Sequence, residues 1–359
     1  MIIYARSPYF INIGLTSGYG SKLELFLANG TGSFPSTATY TIIKNYNQGT
    51  GNSHDYNISN FIREYIENIS IDTTYNKNFV KVRAKSSRQN SDGTYTVLST
   101  LDMYGTNGYT LYTQGANYTD SSGQCVLLSD TNLEYYYNRE SGITPFINIL
   151  VNTYIGDKLE IILTDLNGRN SATTTLIGTS TASTVGFLSA QITDKANTKY
   201  DNGNYCNIKY YQGSTLSIDK TFKVTPICEP KYTPVECQFI NRFGGWQILT
   251  FFKAQTNSIN VSSTSYNLLS DSVYYNESLP QTASFNINGK QGIRLNTGWV
   301  PESYSELIQD LILAETILLD GKPVEIKTQS TELKTSLKDR NINYEIEFEY
   351  AYNLINNVV

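Results

Sequence analysis

Near its C-terminus the chain reads Ile342-Asn343-Tyr344-Glu345-Ile346-Glu347-Phe348-Glu349-Tyr350. From Tyr344 onward every second residue is aromatic or aliphatic, and each residue between is a glutamate. Side chains alternate between the two faces of a β-strand, so the run predicts a strand with one buried face and one row of carboxylates. That row is either a solvated sheet face or a surface for a cation or basic partner. Just upstream, Thr316–Leu319 meets Asp320-Gly321, the dipeptide a type I′ turn wants, and then Val324–Ile326. A hairpin is expected there, with Pro323 placing its strand at a sheet edge because proline has no N–H to donate. The same alternation recurs earlier. Val80, Val82 and Ala84 alternate with Lys81, Arg83 and Lys85, and Tyr95 and Val97 answer them across Asp92-Gly93. Three β-like runs between 146 and 178, separated by Ile155-Gly156-Asp157 and Asn167-Gly168, predict a three-strand meander.

Two segments read as helices. Ile58, Phe61, Ile62, Tyr65, Ile66 and Ile69 follow i, i+3, i+4, i+7 spacing and predict a helix over about 57–70, with Asn57 or Ser59 as cap and Phe61 and Tyr65 as packing residues. Tyr304, Leu307, Ile308, Leu311 and Ile312 share a second face, on which Leu307 and Leu311 are the packing residues; Ser303 with Glu306 forms a capping box. Three prolines, Pro226, Pro230 and Pro234, mark an extended connector. The expected organisation is an N-terminal β-domain (1–140) carrying the first helix, a second antiparallel β-domain (141–225), the connector (226–234) and a C-terminal α+β domain (235–359). The fold class is mainly β: antiparallel sandwich-like domains plus an α+β domain with one capped helix.

Composition narrows function. The 359 residues include 29 Tyr but only one His, and 16% are charged, with 27 Lys+Arg against 32 Asp+Glu; average chains are nearer 25% charged. The surface is therefore expected to be coated with neutral hydrogen-bonding groups and phenols. A slightly acidic chain lacks the basic footprint of a nucleic-acid reader. No stretch approaches the ~18–20 apolar residues of a membrane helix, and the N-terminus does not read as a signal peptide.

His54 lies in Gly51-Asn52-Ser53-His54-Asp55, which reads as a solvated loop; any Ser-His-Asp or Cys-His machinery would have to run through it. Cys125, Cys206, Cys228 and Cys237 contain no C-x-x-C pair, so buried reduced thiols are preferred over a zinc site or a Cys228–Cys237 disulfide. Asp102, Asp157, Glu160 and Asp165 are carboxylates without a glycosidase motif. The tyrosines could stack on sugars, but they spread over the whole chain. No catalytic residue, metal or cofactor is expected.

The most pronounced local feature is Phe239-Ile240-Asn241-Arg242-Phe243-Gly244-Gly245-Trp246, followed by Gln-Ile-Leu-Thr-Phe-Phe252. Gly244-Gly245 must turn tightly between two apolar runs, as in a core hairpin. Arg242, Phe243, Trp246 and the later Trp299 are candidate core anchors or subunit contacts, since Arg, Trp and Tyr are enriched at interfaces.

The runs FINRFGGWQILTFF (239–252), LNTGWVPESYSELIQDLILAETILLDGKPVEI (295–326) and INYEIEFEYAYNLINN (342–357) together resemble the C-terminal half of β-rich structural proteins in the tail modules of crAss-like phages and other phages of Bacteroidota. SPYFINI (7–13) and YNISNFIREYI (56–66) look similar to the opening domain of those proteins. The resemblance implies a virion component of a short-tailed phage, assembled in the host bacterial cytoplasm: a non-enzymatic subunit of a tail-barrel or neck ring. It implies as partners further copies of the chain in a closed ring, twelvefold or, lower in the tail, sixfold, together with adjacent portal, ring or tail proteins. Genomic DNA would only pass through the channel. The alternative expectation is a peripheral tail protein that binds or degrades host-surface glycan.

Overall fold

A computed structural model describes the chain except for residues 15–18, 31, 46–52, 68–77, 116–124, 131, 140–144, 178–183, 194–196, 228–230, 269–276, 329–340 and 357–359. The described residues are mainly β, with several antiparallel sheets and two α-helices. The chain divides into two compact units: Met1–Cys228 with Phe239–Ile248 and Leu313–Glu315, and Glu229–Gln238 with Leu249–Ile312 and Thr316–Val359.

The first unit opens with β1 (Ile2–Tyr4), β2 (Phe10–Gly14), β3 (Gly20–Asn29), β4 (Tyr40–Asn45), β5 (Ser53–Asn57), α1 (Ser59–Arg63), β6 (Phe79–Gln89) and β7 (Tyr95–Thr106). Five of these strands form a sheet in the order β1-β7-β6-β3-β4, while β2 and β5 pair separately. Val80, Val82 and Ala84 are buried as their alternation predicts, and they pack with Leu23, Leu25, Leu27, Ile58 and Ile62. The hairpin β6–β7 turns at Gly93, whose φ of 82° suits glycine.

Helix α1 ends at Arg63, well short of the expected 57–70. Its N-cap position falls on Ile58, not on Asn57 or Ser59, and has no side-chain cap; Asn57 accepts from the Ser59 N–H at 3.2 Å, and the Ser59 hydroxyl is turned to the Ser7 carbonyl at 2.6 Å. Phe61, Tyr65 and Ile66 still pack against the core, because an isoleucine-rich stripe can be buried by a turn as well as by a helix for which its propensity is weak. Ile69 lies outside the described residues.

The unit continues with β8 (Cys125–Leu127), β9 (Tyr135–Asn138), β10 (Phe146–Thr153), β11 (Lys158–Asp165), β12 (Ser171–Ile177), β13 (Thr184–Gln191), β14 (Asn204–Gln212) and β15 (Thr215–Ile227). Here the expected meander splits. Strands β11 and β12 pair, but β10 belongs to another sheet, ordered β13-β10-β8, while β11 sits in β12-β11-β14-β15-β9. Burial gives the reason. Residues 147–151 of β10 are buried on both faces, as a central covered strand requires, whereas β11 buries only every second residue. Because β8 and β9 pair with β10 and β15, these sheets recruit strands from before residue 140. Likewise Pro226, expected at the head of the connector, is still within β15, opposite Tyr137.

The remaining strands are β16 (Val235–Ile240), β17 (Trp246–Phe251), β18 (Thr256–Asn267), β19 (Thr282–Pro301), β20 (Ile317–Leu319), β21 (Lys322–Ile326) and β22 (Asn341–Tyr350), with α2 (Tyr304–Ile312) after β19. They form a seven-stranded sheet ordered β17-β16-β20-β21-β22-β19-β18. Tyr344, Ile346 and Phe348 of β22 are buried, and α2 buries Tyr304, Leu307, Ile308 and Leu311. Asp320 and Gly321 both have positive φ, 47° and 77°, as a type I′ turn demands. Contrary to expectation, Pro323 is not on an edge strand. Strand β21 lies between β20 and β22, but the first β21–β22 pair is Val324↔Tyr350, one residue beyond Pro323. Pro323 thus sits at the end of the β21–β22 ladder and opposite Leu318 on the β20 side, and its carbonyl accepts from the Ala351 N–H at 2.9 Å.

Candidate functional site

The row of glutamates on β22 is met by cations on its neighbours. Arg294 of β19 reaches Glu345 at 3.7 Å and Glu347 at 3.5 Å; Lys327 and Lys290 reach Glu349 at 2.9 and 3.6 Å. Asn260 also donates to Glu349, at 3.0 Å. The hydrogen bonds from Lys327 and Asn260 hold the Glu349 carboxyl below its ordinary pKa. These carboxylates are therefore neutralised within the sheet.

The turn of the 239–252 hairpin belongs to the first unit and is keyed there by buried amides. Asn241 accepts from the Phe243 and Gly245 N–H groups at 3.0 and 3.1 Å and donates to the Leu128 carbonyl at 2.8 Å. Asn148 donates to the Trp246 carbonyl. A Cβ on Gly245 would come 2.4 Å from the Leu128 carbonyl oxygen, and one on Gly244, which has φ of 80°, 2.7 Å from the Asn107 nitrogen. The glycines are needed for close approach as much as for the turn. Trp246 is fully buried, a core anchor. Phe243 packs with Ile2, Phe79, Leu128 and Leu150, and the Arg242 guanidinium lies 4.8 Å from the Phe243 ring centroid. Trp299 is elsewhere and 70% exposed, beside Gly298 at a register shift in β19. Asn241 and Asn148 carry no sequence signal, because an isolated Asn reads as surface; only the paired glycines mark the spot.

Arg242 and Phe243 line a pocket of about 260 Å³ with Tyr4, Tyr109, Thr110 and Gln114, smaller than the ~300–1,000 Å³ of usual ligand sites. The Tyr109 N–H donates to the Arg242 carbonyl at 2.8 Å, which fixes the pocket wall.

The candidate acids are all engaged structurally. Asp102 pairs with Arg83 at 2.7 and 2.8 Å. Asp157 accepts from the Tyr210 hydroxyl at 2.7 Å and from the Tyr154 and Gly213 N–H groups at 2.8 and 3.1 Å. Glu160 pairs with Lys158 at 2.6 Å, and Asp165 organises the turn to Asn170. His54 departs from the loop reading. It lies on β5 opposite Ile13, with Nδ1 2.6 Å from the Ser21 hydroxyl, which also meets the Tyr56 hydroxyl at 2.7 Å. Ser21 is itself fully buried, so this cluster presents no nucleophile to a substrate. Partial burial, then the charge of Lys44, lower the His54 pKa.

Cys125, Cys206 and Cys237 are buried free thiols; burial raises all three pKa values, that of Cys125 to about 12. Such thiols are inert. Cys228 lies outside the described residues. Among the described residues no group of three or more His, Cys, Asp or Glu could hold a metal, and no helix is long and apolar enough to cross a membrane.

Among the described residues, one extended exposed feature is the hairpin arm of β18 and β19. All twelve residues of β18, Thr256–Asn267, are exposed, and the stretch TNSINVSSTSYN contains no charged residue and no proline. No protein-family model matches the chain, and no curated protein is similar to it.

Proposed function

We propose that the chain is a non-enzymatic virion structural protein, a subunit that closes into a ring in the tail barrel or neck of a short-tailed phage and stacks on neighbouring rings around the DNA channel. The phage setting rests on the sequence resemblance at both ends of the chain. The structural observation that supports it is the arm: a twelve-residue edge strand, exposed and uncharged, lacks the lysines and prolines with which lone subunits protect such edges. Exposed Trp299 is a large apolar anchor of the kind interfaces use. Asp102, Asp157, Glu160, Asp165 and His54, by contrast, are engaged within the fold, and the described thiols are buried. Mass photometry of the purified chain tests the reading: a closed species near twelve or six times 40.3 kDa supports it, and a monomer at all concentrations contradicts it.

The pocket favours a second reading, a peripheral tail protein that binds host-surface glycan, because Tyr4, Tyr109 and Phe243 line it together with Arg242 and Gln114. Titration with host capsular glycan decides it: binding lost in Tyr109→Ala and Arg242→Ala supports this reading, and no binding by the parent chain removes it.

A further inference from the structure

Two exposed edges in the chain match one another. In β18 the regularly paired part is Thr256–Ser262, which runs against β19 until the register shifts between Ser262 and Thr264. In the first unit β12, Ser171–Ile177, is the edge of its sheet, and it too has no charged residue, reading SATTTLI. The regular stretch of β18 has seven residues, about 24 Å of strand at ~3.4 Å per residue, and that of β12 has five, Ser171–Thr175, before its register against β11 shifts at Leu176. Residues 173–175 are exposed, as are Ile259 at 65% and Val261 at 67%. The other edges of comparable length differ. Strand β4 carries Lys44, β17 is largely buried, and β13, though uncharged, is partly or fully buried over residues 188–190.

We propose that β18 of one copy pairs edge to edge with β12 of the next copy, so that two sheets become continuous across each subunit boundary. This rests on the ring reading and names its contact. A ring needs heterologous contacts, in which two different surfaces of the same chain meet and rotation closes the series; one chain carrying two unlike but compatible edges supplies both halves. The absence of charge on both edges favours a second copy as the occupant. Neither strand brings a charge, so no like charges oppose. Their Ser, Thr and Asn side chains can hydrogen-bond across the new pair. Backbone N–H and C=O groups exposed along both edges become paired, as in strand addition generally.

The test blocks each edge separately. One variant carries Ile259→Lys and Val261→Lys, the other Thr173→Lys and Thr175→Lys; all four positions are exposed, and retention of the parent's thermal midpoint shows that the fold is kept. In native mass spectrometry of the full chain, the parent is expected to form closed rings and each variant alone a monomer. An equimolar mixture is expected to give one heterodimer and nothing larger, because only one good edge remains on each partner. A mixture that stays monomeric, or variants that assemble as the parent does, overturns the pairing; rings in the latter case leave the ring reading standing. Open chains of mixed length from the parent, abolished by either variant, support the pairing and contradict closure.

Discussion

Asn241 holds the turn of the 239–252 hairpin, beside its conspicuous aromatic residues, Phe243 and Trp246. Its side-chain oxygen accepts two backbone N–H groups and its nitrogen satisfies the Leu128 carbonyl, all in a buried setting. Asn241→Ala would strand these groups at ~1–3 kcal/mol each. Chemical denaturation should show a loss of about 3 kcal/mol or more; a loss below about 0.5 kcal/mol, the range of ordinary surface changes, would show that the hairpin is held otherwise. The sequence displays the glycines and the Trp but not this Asn, because a satisfied buried amide depends on partners distant in the chain, here Leu128. His54 is hidden for the same reason: its strand is defined by pairing with β2, and local loop-forming residues give no hint of that. Its pKa is lowered in the fold, so the unfolded chain takes up a proton first as pH falls through about 6.5, and stability declines from there toward the folded value. As the chain has one histidine, His54→Gln should flatten the drop in urea midpoint as pH falls from neutrality through that value. An unchanged slope would assign it to other groups.

Among the elements, β22 is the most legible, since strict alternation can be satisfied only by a strand with one covered face. What alternation cannot supply is the partner of each glutamate, which depends on register with β19 and the placement of Lys327. That register predicts unequal effects along one strand. Glu345→Gln breaks an exposed pair, worth about 0–1 kcal/mol. Glu349→Ala removes the acceptor of Lys327 and Asn260 in a mostly buried position and should cost ~1–3 kcal/mol. Equal thermal shifts for the two would contradict the assigned register. The Asp320-Gly321 turn is legible from two residues. Gly321→Val forces a β-branched side chain to φ of 77° and should lower stability by ~1–3 kcal/mol in the same assay; a neutral result would mean that the turn is not type I′. The meander over 146–178 is legible only in its turns and not in its sheet membership. Local sequence sets where a strand reverses, whereas burial on both faces of β10 is a property of the folded unit.

Taken over all the sheets, a scarcity of charge has a structural counterpart. Pairs such as Arg83–Asp102 and Arg294–Glu347 bridge neighbouring strands, whereas the exposed edges β12 and β18 carry no charge. A lone subunit with such edges risks open-ended association, which ring closure removes by giving every edge a fixed partner. Electron microscopy of the purified full chain distinguishes the two outcomes by eye. Class averages are expected to show end-on rings with twelvefold or sixfold symmetry and a central opening wide enough for duplex DNA. Isolated monomers, or open filaments without closure, would contradict the ring.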